Sequence, residues 1–449
     1  MRHFCSIDEV NNMAQANPTA VTTPSLDDVW HDKKQLRTEI LGGITAFFAI
    51  SYIIVVNPMI LADAKMPASL TMFSTIFVSV IGCMLMGIFA DAPMILTPGM
   101  GVNAFFTYTL VVDMRLTWQQ AIAVSIIGSV FYCIIAFSKL SQIISDGIPD
   151  SLKTGITVGI GVFLVQIGLQ KAGLIKSGGS RSLLAFGSLA DPSVILAIFG
   201  LVLSLWLFMR KVPGGFVISI AATTIVGLLF QIKGQTVPNA SLGNLAHYGD
   251  IFMKGDFSQI LTPKFLLAIF AMAMIQLFEA MGILEGMLPD KSKFKKSFEV
   301  SAFTTFLSGI FGTSPTVDAA ESASGIQSGA RTGVMSITVG IMFALSTFFV
   351  PLLSFVPQAA VAPVIIITGA LMMEDLKGLD FAHLENWFPV FLIVVMIPFT
   401  GSVSTGMAFG FVSYPLCQLL TGHYKRINAV NTTLALAFLL TLVANTFLS

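Results

Sequence analysis

The chain has 449 residues, 55% hydrophobic and only 11% charged, with 24 acidic side chains balancing 24 lysines and arginines. Soluble domains carry charge on about 25% of their residues. A mean hydropathy of +0.85 therefore excludes an ordinary soluble protein and specifies a polytopic membrane protein. With zero net charge, no nucleic-acid partner is indicated.

The first 36 residues are polar, include Asp8, Glu9, Asp27 and Asp28, and lack the apolar core of a secretory signal. They are expected to form a disordered cytosolic tail. Apolar windows of about 20 residues, enough to cross a core of about 30 Å, then begin at 38–57 and 70–90. A short glycine-rich segment follows over about 97–113, then 118–138, 152–170, 192–209 and 213–231. Residues 37–231 thus form a first set of seven. The stretch 232–260, with Lys233, His247, Asp250 and Lys254, reads as an extracytoplasmic connection. A second set of seven occupies 261–420, through 262–287, 297–312, a polar interruption, 334–355, 358–373, 387–402 and 403–420. One apolar window, 428–447, is left over in the C-terminal segment 421–449.

The third segment of each set is short and broken. Ile95 to Tyr108 reads ILTPGMGVNAFFTY, and Ser314 to Gly325 reads SPTVDAAESASG. Paired interruptions at matching places in two halves point to a transporter site near the bilayer midplane. Seven spans per half place the second half upside down. With the N-terminus inside, the cytoplasmic side receives twice as many lysines and arginines as the other, led by Lys291, Lys293, Lys295 and Lys296, which accords with the positive-inside rule.

The run Phe311 to Gly333 is too polar to cross lipid as a regular helix, because unpaired backbone and charged groups in hydrocarbon cost several kcal/mol each. Pro315 interrupts it, and Glu321 lies in its middle. In the eighth segment Gln276, Glu279, Ile283 and Gly286 recur at helical spacing and share a face. A mid-membrane acid such as Glu279 marks a pathway by default. Asp318 either joins these acids or caps a half-helix; Arg331 either attracts an anion or reaches the cytoplasmic surface. Glu285 reads as a solvated end residue. Asn103, after PGMG, either caps its half-helix or faces the site. Phe105, Phe106 and Phe278 offer flat faces, and Thr45, Tyr52 and Asn57 form a polar stripe on the first segment. Burial favours the uncharged form of a carboxyl group, which suits coupling to a proton. Ionised, the same group accepts two parallel N–H bonds, so a flat, neutral, hydrogen-bonding substrate suits the site better than an ion.

These residues also carry a resemblance. GGITAFFAISYIIVVNP in the first segment, PGMGVNAFF in the third and GTSPTVDAAESASGIQSGARTG in the tenth resemble the AzgA-like purine permeases of the nucleobase-cation symporter family. The resemblance covers nearly all of the chain after residue 36. It implies an all-α polytopic fold of about 14 transmembrane segments in two inverted repeats, whose broken third and tenth segments are each a short strand plus a half-helix. A core domain (segments 1–4 and 8–11) carries the substrate, and a gate domain (5–7 and 12–14) faces it and often dimerises. By the same resemblance the base is held by Asn103, Glu279 and Glu321, with Gln276, Phe278, Ala320 and Val102 around it. Glu279 and Glu321 couple the proton. The implied activity is proton symport of hypoxanthine, guanine or adenine across the plasma or inner membrane. The eighth segment departs from the family pattern D-x-F-D-T-x-G-T, presenting Gln276, Phe278, Glu279, Ala280, Gly282 and Ile283. Ser301 stands where the ninth usually has an aspartate.

Other functions fit less well. A carrier of uracil, xanthine or urate, or an anion carrier on the same architecture, are the alternatives, and two central glutamates disfavour the anion. No GxSxG, HExxH or GxxxxGK[ST] motif appears, and no mid-span histidine cluster, so neither an enzyme nor an ATP-driven pump is expected. The four cysteines, Cys5, Cys83, Cys133 and Cys417, have no metal or redox spacing. No cofactor or metal is anticipated.

Overall fold

The computed structural model describes residues 26–177, 184–210, 212, 214–232, 241–353 and 355–448. Most of the anticipated tail, residues 1–25, lies outside them, as do 233–240 of the connection. The end of that tail differs from expectation. Leu26–His31 is a short helix, and Asp32 starts the helix Lys33–Ile50 by accepting the backbone N–H groups of Lys34 (2.9 Å) and Gln35 (3.3 Å). A side chain that satisfies two orphan amides lets the helix begin in polar sequence.

Among the described residues, nine helices are long and apolar enough to cross a membrane, including Lys33–Asp63, Ala68–Ala90, Asp150–Lys171 and Pro263–Met287. Three shorter apolar helices, Gly215–Leu229, Leu384–Thr400 and Ala429–Leu440, accompany them. Ala429–Leu440 is the start of Ala429–Leu448, the leftover apolar window. It packs on Val403–Leu420 and on Pro263–Met287, with Phe438 buried against Phe270 and Phe411 at 5.0 Å each.

The helices form two groups. One gathers Lys33–Asp63, Ala68–Ala90, Trp118–Ala136, Pro263–Met287, Phe294–Ile310 and Gly333–Ser346 around the two broken segments. The other gathers Asp150–Lys171, Pro192–Met209, Gly215–Leu229, Gln358–Leu371, Leu384–Thr400 and Val403–Leu420. These are the core and gate domains. In the gate, Gly161 and Gly369 face each other so closely that a Cβ on either would lie about 2.5 Å from the other's carbonyl oxygen (2.6 and 2.5 Å). Glycine there lets two helices pack backbone to backbone, where lipid supplies no hydrophobic drive.

Each broken segment is a strand and a half-helix. Leu96–Pro98 leads into Met100–Ala104, which continues with π-type turns through Phe105–Asp113; Thr316–Asp318 leads into Ser322–Gln327. The strands pair antiparallel, Leu96 with Asp318, Thr97 with Val317 and Pro98 with Thr316. Flanking bonds, Ala319 N–H to Ile95 O (2.8 Å) and Gly99 N–H to Pro315 O (3.2 Å), extend the ladder. Irregular backbone is tolerated at membrane depth only when its polar groups find partners. Here each break satisfies the other, and both half-helices start from one shared strand ladder.

The gate helix Asp150–Lys171 is tied to the core at both ends. Lys153 Nζ lies 3.3 Å from Glu285 Oε2, and Lys171 Nζ lies 2.6 Å from Asp63 Oδ2, an oxygen that also accepts the Tyr108 hydroxyl at 2.6 Å. Glu285 is therefore an ion-pair partner of the gate rather than only a solvated end.

Candidate functional site

Glu279 lies on Pro263–Met287 about two turns from its C-terminal end, half-buried, with its carboxylate against the glycines that open the first half-helix. A Cβ on Gly99 would be 3.3 Å from Oε1, and one on Gly101 would be 3.3 Å from Oε2. The same added atoms would collide with Val317 Cγ2 (2.3 Å) and Ile160 Cγ2 (2.8 Å). Only glycine lets the strand, the half-helix and the glutamate meet at this point.

Glu321 takes the corresponding place at the start of Ser322–Gln327, half-buried, and its Oε1 accepts the hydroxyl of Tyr52 at 2.5 Å. Tyr52 comes from the polar stripe of the first segment. Asn57, from the same stripe, donates to Thr75 Oγ1 (2.7 Å) and Thr313 Oγ1 (3.0 Å) and accepts from Ser314 (3.2 Å). The Ser314 hydroxyl also bonds to Asn103 Oδ1. One polar chain thus joins the first, second, third and tenth segments. Thr45 turns away, donating to Leu41 O within its own helix (2.8 Å).

Three atoms of the expected site residues are buried without a partner among the described residues: Glu279 Oε2, the amide nitrogen of Asn103 and the amide nitrogen of Gln276. Gln276 is one turn before Glu279, and its Oε1 accepts from Ser129 at 3.3 Å. Buried polar atoms are paired in the great majority of cases. Glu279 Oε2 is an unused acceptor and the two amide nitrogens are unused donors, so each is able to bond a ligand that reaches it.

Space adjoins these groups. Ala320, between the second strand and Glu321, is exposed, and so are Gly282 and Gly286, where an added Cβ would meet nothing within 4 Å. Glu279, Gly282 and Gly286 descend one face of the helix toward Lys291 and Lys293. Glu285, one turn beyond Gly282, reaches Lys153 of the gate helix at 3.3 Å.

Of the other expected site residues, Val102 is fully buried in the half-helix, and Phe278 is 2% exposed with its ring stacked on Phe411, centroids 5.7 Å apart. Phe105 and Phe106 are buried in the core. Asp318 caps no helix; it sits at the end of the second strand, fully buried, with neither oxygen bonded. Arg331 donates to Ile326 O (2.5 Å) and Ala330 O (2.6 Å), closing the C-terminal end of the second half-helix. No cluster of three His, Cys, Asp or Glu side chains able to hold a metal occurs among the described residues. Sequence reasoning missed the shared network of Asn57, Thr75, Thr313 and Ser314. Its only signal was the density of serine and threonine around Pro315.

A family model described as "Permease family" (Xan_ur_permease) matches residues 37–409. The Nucleobase transporter PlAzg2 of Paenibacillus larvae is 40% identical over 384 residues, covering 85% of this chain and 77% of that protein. Guanine/hypoxanthine permease PbuO of Bacillus subtilis is 32% identical over 433 residues (92% and 99% covered). Adenine permease AdeP of Escherichia coli is 32% identical over 417 (91% and 93%). Among solved structures, the transmembrane domain of the cyanobacterial bicarbonate transporter BicA superposes with a TM-score of 0.59 at 15% identity, covering 86% of this chain and 97% of that one. The murine anion transporter Slc26a9 gives 0.61 at 12% identity, covering 100% and 76%. These two show the fold alone. The sequence relatives are named permeases and transporters, not enzymes. With a family model spanning residues 37–409 and relatives at 32–40% identity over most of its length, this multi-pass membrane protein belongs to the Xan_ur_permease family of permeases.

Proposed function

We propose that this permease carries purine nucleobases into the cell by proton symport, with hypoxanthine, guanine and adenine as the substrate class. It works by alternating access in a plasma or inner membrane with the N-terminus cytoplasmic. The observation that carries the reading is the trio of unpaired buried groups, Glu279 Oε2 and the amide nitrogens of Asn103 and Gln276. A purine edge alternates N–H donors with ring-nitrogen and carbonyl acceptors, so it offers partners for a free acceptor and for free donors alike. The names of the sequence relatives, a nucleobase transporter and purine permeases, support the same class.

In this reading Glu279 and Glu321 bind the base and couple its movement to a proton. Asn103 and Gln276 donate to it, and Val102, Phe278 and Ala320 shape the space. Neither glutamate has a basic partner in the site, so proton binding is the available means of neutralising it. Residues 37–231 and 261–420 act as the inverted repeats, and the gate supports a homodimer.

Gln276 favours a second reading within the same class. An amide donor facing the site suits oxygen-rich bases such as xanthine, urate or uracil better than adenine. Uptake of radiolabelled hypoxanthine into proteoliposomes, competed by a panel of purines and pyrimidines at two pH values, tests both. Competition by purines with uptake rising at acidic outside pH is expected; no uptake of any base overturns the reading.

A further inference from the structure

Three consecutive backbone N–H groups follow the second half-helix, those of Arg331, Thr332 and Gly333, and each is held by a carboxylate. Glu39 accepts the first two, at 2.7 and 3.3 Å, and Asp91 accepts the third at 2.8 Å. Successive amides of this kind form a concave anion-binding nest, and here two acids of the same chain fill it. Asp91 is also paired with Lys293 Nζ at 2.8 Å. Glu39 is fully buried on the first membrane helix and forms no ion pair among the described residues. A buried acid is costly unless its oxygens are hydrogen-bonded, so the two amides are what hold Glu39 in place, and it holds them.

Glu39 shares one buried helix face with Gly42, Gly43 and Ala46, at helical spacing. That face lies along the second half-helix. A Cβ on Gly42 would be 2.9 Å from Ala330 Cβ and 3.1 Å from Gly325 O, and one on Gly325 would be 2.9 Å from Gly42 O. Two smooth glycine surfaces in contact have no side chains to interlock, so they resist sliding poorly. The half-helix is instead fastened at its ends, both times by the first segment: Tyr52 bonds Glu321 at its start, and Glu39 bonds the turn that follows it.

We propose that Glu39 is a positioning residue of this carrier: by holding the Arg331 and Thr332 amides it fixes the second half-helix lengthwise, and with it the place of the Glu321 carboxylate. Glu39 itself touches no substrate. The inference rests on the proposed base site through Glu321.

The test is Glu39→Gln, which keeps the size of the side chain but offers one acceptor oxygen and turns an N–H donor toward the other amide. In proteoliposomes the KM for hypoxanthine is expected to rise fivefold or more, with Vmax per folded carrier within twofold of the unmodified protein. A role in folding alone would lower Vmax with the folded fraction and leave KM as it was, so an unchanged KM overturns the proposal. A second measurement needs no base. In protein labelled with 3-fluorotyrosine, the 19F resonances of Tyr52 and Tyr108 are assigned by their loss in Tyr52→Phe and Tyr108→Phe. Glu39→Gln should shift the Tyr52 resonance and leave that of Tyr108; a stationary Tyr52 resonance overturns the proposal. Should this variant not fold, Glu39→Asp, with both oxygens on a shorter stem, is read in the same way. If neither variant folds, Glu39 is a folding residue and the proposal fails. Absence of nucleobase uptake by the unmodified protein overturns the base site, and the fluorine spectra still decide whether Glu39 sets the position of Glu321.

Discussion

The hydroxyl of Tyr52, on the first membrane helix, donates a 2.5 Å hydrogen bond to Oε1 of Glu321, 269 residues away at the start of the second half-helix. That bond fixes the orientation of a carboxylate whose backbone sits in a break, where no helix ladder restrains it. Tyr52 is thus the group that decides which Glu321 oxygen is free to meet a ligand.

Tyr52→Phe removes this donor and keeps the ring. A hydrogen bond to a charged group contributes about 1.5–3 kcal/mol, roughly a 10- to 100-fold loss of affinity. Equilibrium binding of labelled hypoxanthine should show that loss with membrane expression unchanged; full affinity in the variant dissociates Tyr52 from the site.

Glu321→Gln and Glu279→Gln should separate two roles. The first replaces an acceptor needed for paired N–H bonds, so uptake should be abolished while expression stays intact. The second leaves a side chain that cannot carry a proton, so pH-dependent accumulation should stop. Normal uptake in the Glu321 variant, or normal accumulation in the Glu279 variant, rejects the corresponding role.

Asn103→Ala removes an amide whose oxygen already bonds Ser314 and whose nitrogen is unused. Loss of one neutral hydrogen bond weakens binding by about 1 kcal/mol, roughly fivefold. Expression should not change. An unaltered affinity assigns Asn103 to the structural network with Asn57 alone.

Gly282→Leu adds a side chain where a Cβ meets nothing within 4 Å. Thermal melting in detergent should hold steady while base binding falls steeply, because the new group occupies the space beside Glu279. A variant that binds normally shows that this space is not the ligand's route.

Lys153 and Lys171 tie opposite ends of one gate helix to the core. In the proposed alternating-access cycle, sliding of core against gate would break one pair, so each lysine would bias which end opens. Each pair is worth up to about 1 kcal/mol, enough for roughly fivefold in populations. With Gly286→Cys as reporter in a background free of other cysteines, Lys153→Met should speed labelling by a water-soluble maleimide and Lys171→Met should slow it. Shifts of the same sign for both remove the latch interpretation.

Much of this protein was legible in its sequence, for stated reasons. Hydrocarbon tolerates neither charge nor free peptide groups, so apolar windows revealed the membrane helices, and Pro98, Pro315 and their flanking glycines located both breaks. An acid at mid-membrane is expensive wherever it lies, so Glu279 and Glu321 stood out without coordinates. Tertiary structure decided what distance along the chain conceals. Antiparallel pairing of Leu96–Pro98 with Thr316–Asp318 brings Glu279 to the first half-helix, and Tyr52 to Glu321, across separations that no local pattern encodes. The pairing also determined that Asp318, equally able by sequence to cap a helix, is buried with no partner, since a strand's register fixes which way each side chain faces.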